Sequence, residues 1–283
     1  MNTVSATALE KPPILRIQPQ GAWWQVNLAE LWQYRELLYF FVWRDIKVRY
    51  KQTAVGAAWA VLQPFLTMLV FSLFFGVLAR IPSGGQPYPV FYYSALLPWT
   101  YFASALQNAT NTIVENQRVI TKVYFPRLAL PIAAILSPLV DFGVAFVLFL
   151  GMMFYYRVHP TWTLLLFPGF LLLAMLTAIG VGLWLSALNA IYRDVRYALP
   201  FLVQLWLFGS PVAYPSTLVP ERWRWLYGLN PMAGVIEGFR WSLTGSGQPP
   251  GRMLYVSIGI VVVLLCGGLA YFQRMETAVA DVV

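Results

Sequence analysis

The stretch LLYFFVWRDIKVRYKQTAVGAAWAVLQP, residues 37–64, joins a charged segment to an uncharged one. Five of the eight residues from 44 to 51 are charged, and apolar side chains lie between them, as is typical of a helix at a membrane surface. No residue from 56 to 79 is ionisable, and a helix of these 24 residues would reach roughly 36 Å, enough to cross a hydrocarbon layer of about 30 Å. The stretch therefore predicts an interfacial helix that leads into a membrane span.

The composition of the whole chain also indicates a membrane protein. Of its 283 residues 59% are hydrophobic and only 11% are charged, whereas a soluble domain carries about 25% charged residues. The net charge of +8 could suggest a nucleic-acid partner, but the basic residues lie between apolar spans, so we expect no nucleic acid. Residues 1–27 contain no apolar run of signal-peptide length, which favours an N-terminal tail that stays in the cytoplasm.

The apolar pattern predicts an all-α protein with six transmembrane helices. We expect a tail at 1–25, an amphipathic interface helix at 26–55 and a transmembrane domain at 56–283. The expected spans are 56–79, 90–114, 128–156, 163–191, a short one that begins near 198, and 253–272. Residues 214–250 are too apolar for a soluble loop and too rich in Pro and Gly to span once, so we expect re-entrant helices on the outer side.

The distribution of basic residues gives this layout an orientation. Of the 19 Lys and Arg residues, 13 lie in the segments that the layout places inside and six in those that it places outside. We therefore expect both termini in the cytoplasm.

Several segments resemble one protein family. RDIKVRYKQT, GAAWAVLQP, TKVYFPRLALP, IYRDVRYALP and LNPMAGVIEGFR resemble, in order and spacing, the membrane subunit of type-2 ABC transporters that export polysaccharides such as O-antigens and teichoic acids. The resemblance implies a permease of the bacterial inner membrane that acts as a homodimer with two copies of an ATP-binding subunit. Its substrate would be a lipid-linked polysaccharide, surrounded by membrane lipids. O-antigen and teichoic acid permeases look alike at this level.

The sequence contains no phosphate-binding loop of the form GxxxxGK followed by Ser or Thr. We therefore expect no cofactor and no metal on this chain, no enzymatic activity of its own, and ATP with Mg on the partner subunit. Two other classes remain as alternatives: a membrane transferase acting on a lipid-linked glycan, which would need an acid and base pair, and a proton-coupled carrier.

The resemblance also implies which residues contact the ATP-binding subunit. In the family the matching segments are the interface helix and two coupling loops. The implied contact residues are Arg44, Asp45, Lys47, Arg49, Tyr50, Lys122, Tyr124, Phe125, Pro126, Arg127, Arg193 and Asp194. We expect Tyr124 and Phe125 to dock as apolar knobs, and we expect Asp45 to orient a neighbouring arginine.

A substrate path is predicted from side-chain chemistry. Basic residues of the interface helix could attract a lipid diphosphate, amides in the second span could bond sugar hydroxyls, and aromatic rings could stack on sugars. The predicted path residues are Arg44, Lys47, Arg49, Tyr92, Tyr93, Trp99, Tyr101, Gln107, Asn108 and Asn111. Aromatic residues of this kind also form ordinary interfacial belts.

Asp141 is the only carboxyl residue predicted to lie inside a span. A proton-coupled carrier would use such a group, because an acid within the membrane is a candidate for proton transfer. The structural alternative is that Asp141 bonds across helices to a polar side chain or joins a backbone break near Pro138. The absence of a second ionisable residue in the spans favours the structural alternative.

Overall fold

The computed structural model describes residues 28–51, 57–245 and 249–282, and all regular structure in these ranges is helical. The predicted tail at 1–25 lies outside the described residues, as do both ends of the predicted interface segment at 26–55. The all-α prediction is confirmed for the described part of the chain.

Twelve α-helices and three short helical segments follow one another in the described ranges. The first half contains α1 (Leu28–Gln33), α2 (Arg35–Lys51), α3 (Ala57–Phe71), a π-helical continuation (Ser72–Leu78), α4 (Tyr88–Glu115) and α5 (Gln117–Ile120). The second half contains α6 (Ala129–Leu136), α7 (Leu139–Tyr155), a 3-10 turn (Trp162–Leu166), α8 (Phe167–Ile191), α9 (Val195–Phe208), a 3-10 turn (Ser216–Leu218), α10 (Glu221–Tyr227), α11 (Pro231–Thr244) and α12 (Gly251–Val282).

Four helical segments of the described chain are long and apolar enough to cross a membrane. They are Val61–Leu78, Ala129–Tyr155, Trp162–Ile191 and Gly251–Met275. The second predicted span, α4, has 28 residues and is long enough, but its amides and hydroxyls lower its hydropathy. The fifth, α9, has 14 residues and reaches only about 21 Å. Four of the six predicted spans are therefore confirmed by length and composition.

The central helix of the bundle is α4, which packs against α3, α6, α7, α8, α9 and α11. Its side chains are buried continuously from Val90 to Trp99 and on part of the helix surface from there to Ile113. Near their C-terminal ends α4 and α8 run together, since Asn189 Nδ2 donates to the Thr110 carbonyl oxygen at 2.9 Å. Helix α2 packs on α6 next to the same end. We call this end of the bundle the α2 end.

A second, smaller apolar cluster lies at the α2 end, and we call it the α2 cluster. Its buried members include Phe41, Ile113, Phe125, Leu183 and Phe272, which come from α2, α4, the loop before α6, α8 and α12. Because five parts of the chain meet there, the cluster fixes α2 to the helix bundle.

Helices α8 and α12 approach closely through glycines. A Cβ on Gly268 would lie 2.5 Å from the Gly180 carbonyl oxygen, and a Cβ on Gly180 would lie 2.9 Å from the Leu265 amide nitrogen. Beside this contact the rings of Trp184 and Tyr271 stack with centroids 4.6 Å apart. Small residues at this contact let the two backbones pack directly, as is common between membrane helices.

We expect Gly268→Val to destabilise the bundle by roughly 1–3 kcal/mol, because the added side chain must push α12 away from α8. The matched control is Gly259→Val on the same helix, where nothing lies within 4 Å of an added Cβ. Thermal unfolding of the two purified variants in the same detergent compares them. Equal melting temperatures would contradict the close contact.

Candidate functional site

Two loops protrude at the α2 end of the bundle. Residues 121–128 follow α5, and residues 192–194 join α8 to α9. Tyr124 and Val123 of the first loop are 65% and 56% exposed, and Tyr192 of the second is 63% exposed. The implied contact residues Lys122, Arg193 and Asp194 are also exposed, whereas Pro126 and Arg127 are half-buried. The two segments that the resemblance assigns to partner contact therefore share one end of the protein.

The prediction for Phe125 needs correction. This side chain is only 4% exposed, and its ring packs on Phe41 of α2 with centroids 5.4 Å apart. Since Phe125 is covered by α2, it cannot dock as a knob into another subunit in this structure. Its position instead anchors the loop to the α2 cluster, and Tyr124 is the aromatic residue that remains available for contact.

Arg44 connects α2 to the end of α4. Its Nη1 donates to Asn116 Oδ1 at 2.8 Å, and its Nε and Nη2 donate to Asp45 Oδ1 at 3.0 and 2.8 Å. The guanidinium also lies 5.0 Å from the centroid of the Phe41 ring. The expectation that Asp45 orients a neighbouring arginine is confirmed. Much of the hydrogen-bonding capacity of Arg44 is thus used inside the protein.

Asp141 is held by two residues of α2. Arg49 Nη1 donates to Asp141 Oδ2, and the Tyr50 hydroxyl donates to Asp141 Oδ1. Asp141 lies in the first turn of α7, which begins directly after Pro138. This is the cross-helix bonding that the sequence left as one alternative. The contacts tie the interfacial helix to the third predicted span.

The hydrogen bond to Asp141 has a consequence for Tyr50. Burial, together with the bond to the Asp141 carboxylate, raises the pKa of Tyr50 to about 12. The phenol therefore stays protonated at neutral pH and can keep donating its hydrogen bond. Its contribution to stability is fully present below the ordinary phenol pKa of about 10 and is lost as the pH rises through about 12.

Lys47 differs from its two basic neighbours on α2. Its side chain is exposed, and its ammonium lies 4.3 Å from the centroid of the Trp43 ring. Arg44 and Arg49 are bound to other groups of the protein. The role of these three residues in substrate entry stays a prediction, with Lys47 the most accessible of them.

A cleft of about 490 Å³ opens between α3, α4, α7 and α9. Three of the predicted path residues, Trp99, Tyr101 and Gln107, line it. The remaining polar lining consists of Gln63, Thr67, Thr100, Ser104, Asp141 and Gln204. Apart from Asp141 these side chains are amides, hydroxyls and rings, which can bond or stack with an uncharged sugar.

The predictions for Tyr92 and Tyr93 need correction. Both side chains are fully buried and do not line the cleft. Tyr92 packs edge-on against Phe71, and the Tyr93 ring stacks with Phe149 at 6.2 Å between centroids. The two rings therefore form core packing in this structure and are not part of an open path.

The two asparagines of α4 are half-buried. Asn111 Nδ2 donates to the Gln107 carbonyl oxygen, and its Oδ1 lies 3.5 Å from Asn189 Nδ2 of α8. Asn111 therefore contacts the neighbouring helix, and neither it nor Asn108 lines the cleft. Their part in a substrate path stays a prediction.

Some of the cleft residues were not predicted from the sequence, although the spacing of polar residues along α3 and α4 indicates them. Gln63 and Thr67 lie four residues apart on α3, and Thr100, Ser104 and Gln107 lie four and three residues apart on α4. At these spacings polar side chains share one face of a helix. Whether Gln204 and Asp141 line the cleft depends on how α9 and α7 pack, which no local sequence pattern indicates.

Comparison with known proteins agrees with this architecture. The sequence pattern of the family described as ABC-2 type transporter matches residues 36–244. The chain is 32% identical over 258 residues to the "O-antigen export system permease protein RfbA" of Myxococcus xanthus, a match that covers 90% of this chain and 98% of the relative.

Two further relatives have names of the same kind. A protein of Klebsiella pneumoniae with the same name is 26% identical, with 87% of this chain and 95% of the relative covered. The "Polysialic acid transport protein KpsM" of Escherichia coli is 25% identical, with 83% of this chain and 92% of the relative covered. The names of these relatives concern the transport of polysaccharides.

Proposed function

This chain belongs to the ABC-2 type transporter family, and we propose that it is the membrane subunit of an ATP-driven exporter of a lipid-linked polysaccharide. The relatives named for O-antigen export and polysialic acid transport cover nearly the whole chain. The exporter would act in the bacterial inner membrane. The observation that carries this proposal is the cleft, because the amides, hydroxyls and rings that share its wall with apolar side chains are costly against lipid tails and can bond or stack with sugars.

In the proposed topology the chain crosses the membrane six times and both termini lie in the cytoplasm. Helix α4 and the shorter α9 would be the second and fifth spans. The segment with α10 and α11 would be re-entrant from the outer side. Support comes from α11, which is buried nearly throughout and packs on α4, α8 and α12, since non-spanning backbone at membrane depth must be packed against protein.

In the proposed assembly two copies of the chain associate, with two ATP-binding subunits at the α2 end. ATP and Mg would be bound by those subunits, and the loops at 121–128 and 192–194 would receive the movement of ATP-driven closure. The cleft lies between α3 and α9, whose exposed faces are apolar. A second copy on these faces would join two clefts into one path.

A proton-coupled carrier finds little support at Asp141. Both carboxyl oxygens accept hydrogen bonds, one from a guanidinium and one from a phenol, so the side chain joins α2 to α7. The transferase alternative would need an acid and base pair near the membrane interface.

The cleft can be tested with cysteines on one helix. In a Cys266→Ser background, we expect Ser104→Cys to react with a water-soluble thiol reagent, because Ser104 lines the cleft. Ser94→Cys is the matched control, since Ser94 on the same helix is fully buried. Added lipid-linked polysaccharide should slow the reaction at position 104. Equal reaction rates at both positions, or no protection by substrate, would contradict a substrate path in this cleft.

We expect Tyr124→Ala to leave the protein inserted but to weaken binding of the ATP-binding subunit at least tenfold, as truncation of an exposed aromatic hot spot often does. Pull-down of the ATP-binding subunit and its stimulated ATP hydrolysis provide the measurements. Tyr155→Ala is the control, because Tyr155 is 78% exposed at the C-terminal end of α7. The coupling role of the loop would be refuted by normal binding in the Tyr124 variant.

A further inference from the structure

A second pocket, of about 910 Å³, lies at the end of the bundle opposite the α2 end. Its wall includes residues 82–84 and Phe91 near the start of α4, whereas Arg44 of α2 bonds to Asn116 just beyond the end of α4. Helix α4 separates Phe91 from Asn116 by about 38 Å. In the proposed topology this pocket is at the outer surface of the membrane.

Charged side chains are concentrated in the wall of this pocket. They are Arg222, Arg224, Arg240 and Arg252 with Glu221 and Glu237. Four cations and two anions leave a local excess of two positive charges. A concave surface with such an excess attracts anions more strongly than a flat surface does.

One of these arginines is fixed before any ligand binds. Arg240 is 5% exposed, and its Nη1 donates to Glu237 Oε1 at 3.0 Å while its Nη2 donates to the Pro211 carbonyl oxygen at 2.8 Å. Its guanidinium lies 3.9 Å from the centroid of the Phe91 ring. Glu237 Oε1 also accepts from the Ser216 backbone amide at 2.7 Å. Burying a cation in this way carries a desolvation cost, so Arg240 differs from an ordinary surface arginine.

The wall also contains unsatisfied donors. In the described part of the chain, the buried Nε atoms of Arg240 and Arg224 have no hydrogen-bond partner. The Nη2 atom of Arg224 makes a long hydrogen bond to the Val219 carbonyl oxygen at 3.4 Å. Buried N–H groups are normally satisfied, so donors of this kind suit an incoming acceptor.

We propose that this pocket binds the phosphate of a lipid headgroup. Guanidinium groups match phosphate oxygens with two parallel donors, and several of them line one cavity here. Trp225 and Trp241 in the same wall suit the depth at which headgroups meet acyl chains. The source is either an anionic phospholipid of the bilayer or the diphosphate carrier of the proposed substrate. The placement on the outer side rests on the proposed topology, but binding itself does not.

Binding to the purified chain in phosphatidylcholine nanodiscs, without an ATP-binding subunit, tests the proposal. The probes are short-chain phosphatidylglycerol, inorganic pyrophosphate and, as the uncharged reference, short-chain phosphatidylcholine. We expect saturable, salt-sensitive binding of one or both anionic probes. Pyrophosphate as the tighter probe would assign the pocket to a diphosphate carrier. Phosphatidylglycerol as the tighter probe would assign it to a bilayer phospholipid.

Two variants test whether the anionic probe binds in this pocket. Arg224→Gln and Arg252→Gln should each weaken binding of the anionic probe about tenfold or more, the loss expected for one charge-assisted hydrogen bond. They spare the buried pair of Arg240 and Glu237, whose loss could unfold the protein. Arg157→Gln is the control, because Arg157 is exposed and lies outside the pocket.

The proposal is overturned if neither anionic probe binds more tightly than phosphatidylcholine. It is also overturned if the Arg224 and Arg252 variants bind as tightly as the unmodified chain. Since the assay involves neither ATP nor polysaccharide transport, such a result would leave the proposed export function to be judged by its own experiments.

Discussion

Asp141→Lys should reduce polysaccharide export more than tenfold while the chain remains in the membrane. The new cation would face Arg49 and would remove the acceptor of both Arg49 and Tyr50. Hydrogen bonds to a charged group contribute roughly 1.5–3 kcal/mol each, and the partial exposure of this pair places the effect toward the lower value. Losing both would release α2 from α7. Surface appearance of polysaccharide in cells, normalised to the amount of inserted protein, measures the effect.

The charge-swapped variant Arg49→Asp with Asp141→Arg should recover part of the export, because it restores an ion pair between the same helices. Glu115→Lys is the matched control, since it reverses the charge of an exposed side chain on the last residue of α4. Asp141→Asn should retain more export than Asp141→Lys, because the amide oxygen can still accept a hydrogen bond. Complete loss in the Asn variant with no recovery in the swap would favour a titrating Asp141, as in a proton-coupled carrier.

Phe125→Ala should lower the stability of the protein by roughly 3–5 kcal/mol, because it empties a site in the α2 cluster. The loop and α2 would both lose the ring that joins them. Thermal unfolding of the purified variant and proteolysis within residues 121–128 measure the effect. Val123→Ala in the same loop is the control and should change little, since Val123 is 56% exposed.

The two aromatic residues of this loop thus have separable effects. Phe125→Ala should weaken the fold first and the coupling to ATP hydrolysis as a consequence, whereas Tyr124→Ala should weaken only the coupling. If Phe125→Ala unfolds at the temperature of the unmodified protein and yet loses coupling, Phe125 contacts the partner directly and does not stabilise the α2 cluster.

Local sequence predicts the helices well and their mutual packing poorly. Long apolar runs predict membrane spans because the bilayer imposes both length and composition. The pairing of Arg49 with Asp141 joins residues 92 positions apart. It follows from the meeting of the C-terminal end of α2 with the first turn of α7, which no periodic pattern contains. The burial of Phe125 has the same origin, since the ring is covered by Phe41 from another helix.

Residue type alone does not locate the cleft in this chain. Tyr92, Tyr93, Trp99 and Tyr101 follow one another on α4 with nothing local to distinguish them. All four side chains are buried, but Trp99 and Tyr101 border the cleft whereas Tyr92 and Tyr93 do not. A ring contributes similarly to a core, to an interfacial belt and to a sugar site, so only the neighbouring helices decide its role. The predicted polar residues of α4 divide in the same way, since Gln107 lines the cleft whereas Asn108 and Asn111 do not.

The membership of the chain in an ATP-driven export complex is tested most directly by reconstitution. Proteoliposomes should contain this chain, the ATP-binding subunit of the same system and the lipid-linked polysaccharide, with translocation followed by accessibility to a glycan-degrading enzyme on the far side. We expect translocation that requires both proteins and ATP, with no response to a proton gradient. Translocation by this chain without the ATP-binding subunit, driven by a proton gradient, would contradict it.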